Sequence, residues 1–386
     1  MVEVGLARSL FGRETKLAPS VPPRTGILPI QTLKQMVRDK EIFSPAELDP
    51  DQLQPASIDL RLGHVAYRVR ASFLPGPGAT VLDKITQLDG YPIDLTNGAV
   101  LERGCVYVIP LLEQVHINSH VVGVANPKSS TGRLDILTRL ITDRSTAFDK
   151  VERGYSGNLY VEVAPKTFSV VAKTGTRLNQ LRFRRGSPIM SASELKRLHD
   201  AGELVSGGTA EQYLDSRNLV AVTVDLRGKE RGNLIGYRAK KHTDRIDLEK
   251  VGYYDIEDFW EPIYYHREPP LILDPDDFYI LVTQEGVKIP RDLAAEMVAY
   301  DTSVGEFRVH YAGFFDPGFG LGDVESKAVL EVRSHDVPFL LDHGQTVGWL
   351  QYERMADVPD RLYGERIGSN YQNQGLKLAK QFKPPA

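Results

Sequence analysis

Three segments of this chain carry residue types that could do chemistry. The first, "NPKSSTGR" at 126–133, gathers Lys128, Ser129, Ser130 and Arg133 around Gly132. Two cations can neutralise a phosphate, and the hydroxyls and backbone N–H groups near the glycine can donate to it, so the segment could cradle an anion. Its glycine spacing and Lys-Ser order differ from a Walker A loop, and a polar loop with a capping serine pair is the alternative. The second is "HYAGFFDPGFG" at 310–320, followed by "KAVLEV" at 327–332. Asp316-Pro317-Gly318 predicts a tight turn with a carboxylate at its start. Glu331 is a lone acid in an apolar strand, either solvent-facing or inward-facing with a raised pKa suited to moving protons. Alternation puts Val329, Glu331 and Arg333 on one face and Leu330 and Val332 on the other, and the arginine favours solvent. The third is the tail "RLYGERIGSNYQNQG" at 361–375. Tyr363, Tyr371, Asn373 and Gln374 would suit a segment closing over a polar ligand; a disordered tail is the alternative.

The elements that must position these residues occur twice. "ASIDLRLG", "VYVIPLLEQVHINSHVVGVANPKSSTGR", "GNLYVEV" and "GTRLNQLRF" are answered by "VTVDLRG", "FYILVTQEGVKIPRDLAAEMVAYDTSVGE", "KAVLEV" and "GQTVGWLQYE". Asp59 answers Asp225, Tyr107 answers Tyr279, Ser130 answers Ser303, Glu162 answers Glu331 and Gly175 answers Gly344, each about 170 residues apart, a period of two tandem domains rather than a solenoid. The expected domains are 1–205, with an N-terminal arm, and 206–386, with the tail. Short alternating runs bounded by Gly, Pro, Asn and Asp predict an all-β protein of two similar barrels or jelly rolls with little helix. Helices are expected over 27–42 and, from a Ser191/Glu194 capping box, over 191–204, with "SGGTA" as the joint.

The chain has 386 residues, 41% hydrophobic and 25% charged, with a net charge of −4. That balance argues against a polymeric nucleic acid partner. The basic clusters "RLNQLRFRRG" (177–186) and "RAKKHTDR" (238–245) read as solvated strand ends or turns. No apolar run of about 18 residues predicts a membrane span, and a cytoplasmic protein is the expectation. The single cysteine, Cys105, excludes an internal disulfide and any site needing two thiolates of one chain, and its apolar run suggests a core residue. His266-Arg267-Glu268 matches half of a zinc-site signature, but its paired cysteines are missing. No G-x-S-x-G, dinucleotide fingerprint or H-E-x-x-H occurs.

Taken together, "QPASIDLRLG", "KSSTGR", "AGFFDPGF", "AVLEV", "GQTVGWLQYE" and "YQNQG" resemble, in order, the motifs of the dCTP deaminase family within the dUTPase-like superfamily. The resemblance runs from about residue 50 to the end. It implies zinc-independent deamination of dCTP to dUTP and ammonia, supplying dUTP for thymidylate synthesis, with Mg²⁺ on the substrate triphosphate. It implies Glu331 as proton shuttle, Ser129 and Arg133 positioning water and charge, and Lys128, Ser130, Asp316, Val329, Leu330, Tyr363 and Gln374 binding substrate. No residue is implied as a metal ligand.

The motifs are divided between the copies. The first keeps the phosphate segment but has "ERGYSG" (152–157) at the turn; the second keeps the turn, the glutamate strand and the tail but has "DTSVGE" (301–306), with Asp301 and Glu306, at the phosphate segment. A composite site follows, within one chain or between two. Asn370 stands where the family usually has a tail lysine. The resemblance also implies a homo-oligomer, a trimer in the first instance, with a monomer carrying an internal site as the alternative. The competing functions are a bifunctional deaminase and dUTP diphosphatase, and a non-catalytic nucleotide sensor.

Overall fold

The computed structural model describes residues 24–228, 232–265, 271–298, 307–310, 313–322, 325–334, 336–365 and 375–384. The chain is mainly β, built of several small antiparallel sheets, and its halves repeat one pairing diagram. In the first half Tyr91–Asp94, Val65–Val69, Val106–His116, Ser156–Pro165 and Ile136–Thr142 lie side by side in that order. In the second half the order is Trp260–Tyr264, Leu234–Ala239, Phe278–Gly286, Lys327–Ser334 and Phe307–His310. A second sheet in each half is centred on Arg177–Arg185 or on Thr346–Arg354, each paired with a strand on either side.

The register makes two glutamates equivalent. Glu162 lies between Val108 and Arg139, and Glu331 lies between Ile280 and His310. The same strand pattern thus delivers an acid to the same place in both halves. What covers each acid decides its chemistry.

Each half buries its own core, around Ile109, Val161 and Phe183 in the first and Leu281, Leu330 and Leu350 in the second. The halves are also fastened together. Ile246–Asp247, from the second half, adds as a parallel strand to Val170–Val171 of the first. Ile27 bridges to Met355. Phe382 packs edge-on against both Phe259 and Trp260, and Phe168 of the first half also meets both of them. Trp260 is fully buried there, and aromatic surface of that size contributes strongly to holding two units together.

Helices are short. Ile30–Arg38 falls inside the expected 27–42 span, and Ala192–Asp200 starts from the Ser191/Glu194 capping box. Leu195, Leu204 and Val205 are buried in the second core. These residues thus pack with the second half. Val81–Gln87, not expected from sequence, is capped by Thr80 and Asp83, an aspartate in place of the usual Glu or Gln. Cys105 sits half-buried at the margin of the first core, its sulfur accepting from Arg68 Nη2 at 3.1 Å.

Candidate active site

The first half's contribution starts where strand Val121–Pro127 runs into a single helical turn, Ser129–Gly132. The turn is tied down from both sides. Lys128 N and Thr131 Oγ1 each donate to the Leu178 carbonyl at 2.8 Å. This leaves Ser129 and Ser130 half-buried on the wall of a cavity of about 540 Å³, with Lys128 and Arg133 beside them. Lys128 Nζ pairs with the buried carboxylate of Asp59. Arg133 is buried, and its Nη1 donates to the Lys377 carbonyl at 2.8 Å.

From the second half, strand Lys327–Ser334 presents Val329 and Glu331 to the same cavity. The expectation of a solvent face is overturned. The first half covers it: Arg333 reaches across to Asp135 and Thr167, and Arg133 Nε lies 3.9 Å from Glu331 Oε1. Alternation fixes which residues share a face, but only the neighbouring half makes that face an interior. Burial pushes the Glu331 carboxyl up to about 8, against the opposing pull of Arg133. Leu330 turns the other way, into the second core, so its side chain is not part of the cavity wall.

Glu162, the matching acid, is held in an ion pair. Arg139 grips one of its oxygens through Nε at 3.0 Å and Nη2 at 2.5 Å. In register, the position opposite Glu331 is His310 where Glu162 has Arg139.

Asp316 starts the expected turn. Phe319 N donates to its carbonyl at 3.1 Å, and Gly318 takes a φ of +97°. A Cβ on Gly318 would also stand 2.9 Å from Leu362 Cβ, so glycine is required on both counts. The Asp316 carboxylate meets Arg182 Nη2 of the first half at 3.1 Å. Burial pushes Asp316 upward, and Arg182 opposes this. Arg182 is itself fully buried, its Nη1 donating to the Ala295 carbonyl at 3.1 Å.

The "RLNQLRFRRG" cluster is therefore not a solvated strand end. Arg184, two residues on, holds Glu296 at 2.6 Å and Glu353 at 2.8 Å. Arg184 and Glu353 are the same position in the two copies, with opposite charge. In the other cluster, Arg238 pairs with Glu261 and Lys241 with Asp277, both partly solvated.

Tyr363 completes the cavity wall; its N donates to the Pro317 carbonyl at 2.8 Å and its ring packs on Phe319 at 5.7 Å. Gln374, Tyr371, Asn373, Asn370, Asp301, Glu306 and the 266–268 motif lie outside the described residues. Glu152, in the altered turn, is exposed and pairs with Lys150. The sequence reading missed Arg177, Arg182, Asp59 and Lys380, which only folding brings to this place. Among the described residues no group of three or more His, Cys, Asp or Glu is placed to hold a metal ion. No described helix is long and apolar enough to cross a membrane.

One cavity thus receives a cationic turn from one half and a buried acid from the other, within one chain. Two family models match the two halves. The model for the 2'-deoxycytidine 5'-triphosphate deaminase N-terminal domain matches residues 24–187, and that for the C-terminal domain matches 191–382. A "dCTP deaminase, dUMP-forming" of Methanosphaera stadtmanae is 27% identical over 198 residues, 50% of this chain and 93% of that protein. A "dCTP deaminase" of Natronomonas pharaonis is 28% identical over 193 residues, 48% of this chain and 90% of that protein. The crystal structure of 2'-deoxycytidine 5'-triphosphate deaminase from Agrobacterium tumefaciens is 50% identical, with a TM-score of 0.83, covering 87% of this chain and 100% of that one. On these matches, over both halves and the whole of a solved relative, the chain belongs to the dCTP deaminase family.

Proposed function

We propose that dCTP is deaminated in the cleft between the halves, with its cytosine at Glu331 and its phosphates toward Lys128. The observation that carries this reading is the meeting of Arg133 and Glu331, from different halves, at 3.9 Å in one cavity. Ionised Glu331 takes a proton from water as its oxygen bonds to C4 of the base. That proton passes to N3. Glu331 then moves the proton of the new hydroxyl to the exocyclic amine, the C4–N bond breaks, ammonia leaves and the C4 carbonyl forms. One acid suffices because its raised pKa lets it hold and release a proton near neutral pH. Arg133 steadies the carboxylate and the developing charge, and Ser129 orients the water.

Asp316, held by Arg182, accepts from the sugar hydroxyl, and Lys128 and Ser130 receive phosphate. Val329 and Tyr363 shape the wall, and the family resemblance assigns Gln374 to the phosphates. Magnesium would accompany the triphosphate as its counter-ion. Asp49 and Asp51 at that end are taken up by Arg177 and Asp59 by Lys128, which favours an ion held by phosphate oxygens. The chemistry uses no zinc, so activity should survive a zinc chelator in excess Mg²⁺; zinc at one per active chain, lost together with activity, would contradict this.

The shared pairing diagram supports a duplicated dUTPase-like barrel as the origin of the halves. Because one chain supplies both faces of the cleft, a homo-oligomer would join through other surfaces. The test is incubation of the purified protein with dCTP and Mg²⁺, resolving dUTP, dUMP and ammonia. Equal dUTP and ammonia support the reading. Ammonia with dUMP would favour the bifunctional alternative; the relatives from Methanosphaera stadtmanae and Halobacterium salinarum bear the name "dCTP deaminase, dUMP-forming". Binding without product would favour a sensor.

A further inference from the structure

Residues 375–384, beyond the tail motif, are anchored rather than loose. Leu378, Ala379 and Phe382 are buried with the first core, and Phe382 packs on Phe259, Trp260 and Tyr254. Gln381 is 2% exposed and its Nε2 donates to the Leu248 carbonyl at 3.0 Å. Gly252 N donates to the Lys380 carbonyl at 2.9 Å. Lys380 therefore sits on a fixed backbone, and its side chain lines the cavity.

The charges around it are already spoken for. Asp49 and Asp51 bind Arg177 at 2.5 and 3.0 Å, and Asp59 binds Lys128. Glu249 accepts from Thr176 Oγ1 at 2.9 Å and lies 3.4 Å from Lys173. The Lys380 ammonium makes no hydrogen bond or ion pair among the described residues. Burial lowers its pKa, and the nearby charges of Lys128 and Arg177 lower it further, against Glu249 and Asp59. A half-buried lysine held beside two other cations, with its acidic neighbours engaged, is unfavourable until an anion arrives.

We propose that Lys380 is a ligand for the phosphate chain of the nucleotide, closing the Lys128 end of the cavity. This rests on the placing of the phosphates at that end. The anchored backbone makes it a preformed contact, since little ordering remains to be done when the nucleotide binds. An ammonium that meets only phosphate should matter more as phosphates are added, and should leave the chemistry at C4 alone.

The test is steady-state kinetics of Lys380→Met with dCTP, dCDP and dCMP, with Lys380→Arg as the conservative variant. For dCTP, KM should rise about tenfold or more, the scale of one charge-assisted phosphate contact, with kcat little changed. The loss in kcat/KM should shrink from dCTP to dCDP and vanish for dCMP, and the arginine variant should restore most of it. Equal loss on all three nucleotides, or an unchanged KM for dCTP, would overturn the proposal. Thermal unfolding checks that the variant is folded, and Lys380→Gln replaces the methionine variant if it is not. Wild type that turns over no dCTP would sink the reading of the cleft and this inference with it; wild type active on dCTP with Lys380→Met unimpaired would sink this inference alone.

Discussion

Replacing Arg133 with methionine should move the pH dependence of the reaction, not only its size. At 3.9 Å, and with an effective dielectric constant of about 20, one charge stabilises the Glu331 carboxylate by about 4 kcal/mol. At about 1.4 kcal/mol per pH unit, that sets a ceiling of about 3 units. Water entering the vacated space screens part of this, so about 1–2 units is the expectation. The direction follows from the groups present. Arg133 favours the ionised carboxylate, while burial and the nearby Asp135 disfavour it. Removing Arg133 takes away the largest influence favouring the ionised form, leaving a backbone hydrogen bond as the smaller one, and the pKa rises. Because catalysis begins from the ionised acid, kcat/KM for dCTP should climb with pH and level off above about 8 in wild type. In Arg133→Met the rising limb should lie near pH 9–10, a displacement of about 1–2 units, on top of a lower plateau. The assay is ammonia release at subsaturating dCTP from pH 5.5 to about 10.5, the range that brackets both limbs. An unmoved limb, or one displaced to lower pH, would refute the pairing of Arg133 with the titrating acid. A wild-type limb in the usual carboxylate range would refute Glu331 as that acid.

Glu331→Gln should lower kcat by about 10²-fold or more while nucleotide binding persists, whereas Glu162→Gln, whose acid Arg139 already holds, should stay close to wild type per folded molecule; the reverse ranking in a rate assay would reassign the active half. Mixing inactive Arg133→Ala and Glu331→Gln proteins should restore nothing, since one chain supplies both groups; recovered activity after subunit exchange would place the working pair across two chains. Trp260→Ala should cost about 3–5 kcal/mol in denaturant unfolding, because the ring is fully buried where the halves meet; a loss below about 1 kcal/mol would show that this cluster does not hold the halves together.

The sequence by itself determined the parts. Period-two runs bounded by turn residues specified strands, and Asp316-Pro317-Gly318 specified its turn, because these are local properties of backbone and side chain. The repeat specified two halves, and the complementary motifs led to the expectation of a site composed from both. Tertiary structure decided the environments. Glu331 and Arg333 read as an outward face, and no local rule could say that a second half lies against it. The same holds for Arg182 and Arg184, whose partners are more than a hundred residues away. It also brought Asn126 and Arg133 to Glu296 and Glu331 of the same molecule, so both halves of one chain line the cavity. Face periodicity depends on bond geometry along the strand, whereas desolvation and charge pairing depend on what folding brings within a few ångströms, and it is those that set the proton affinity of Glu331.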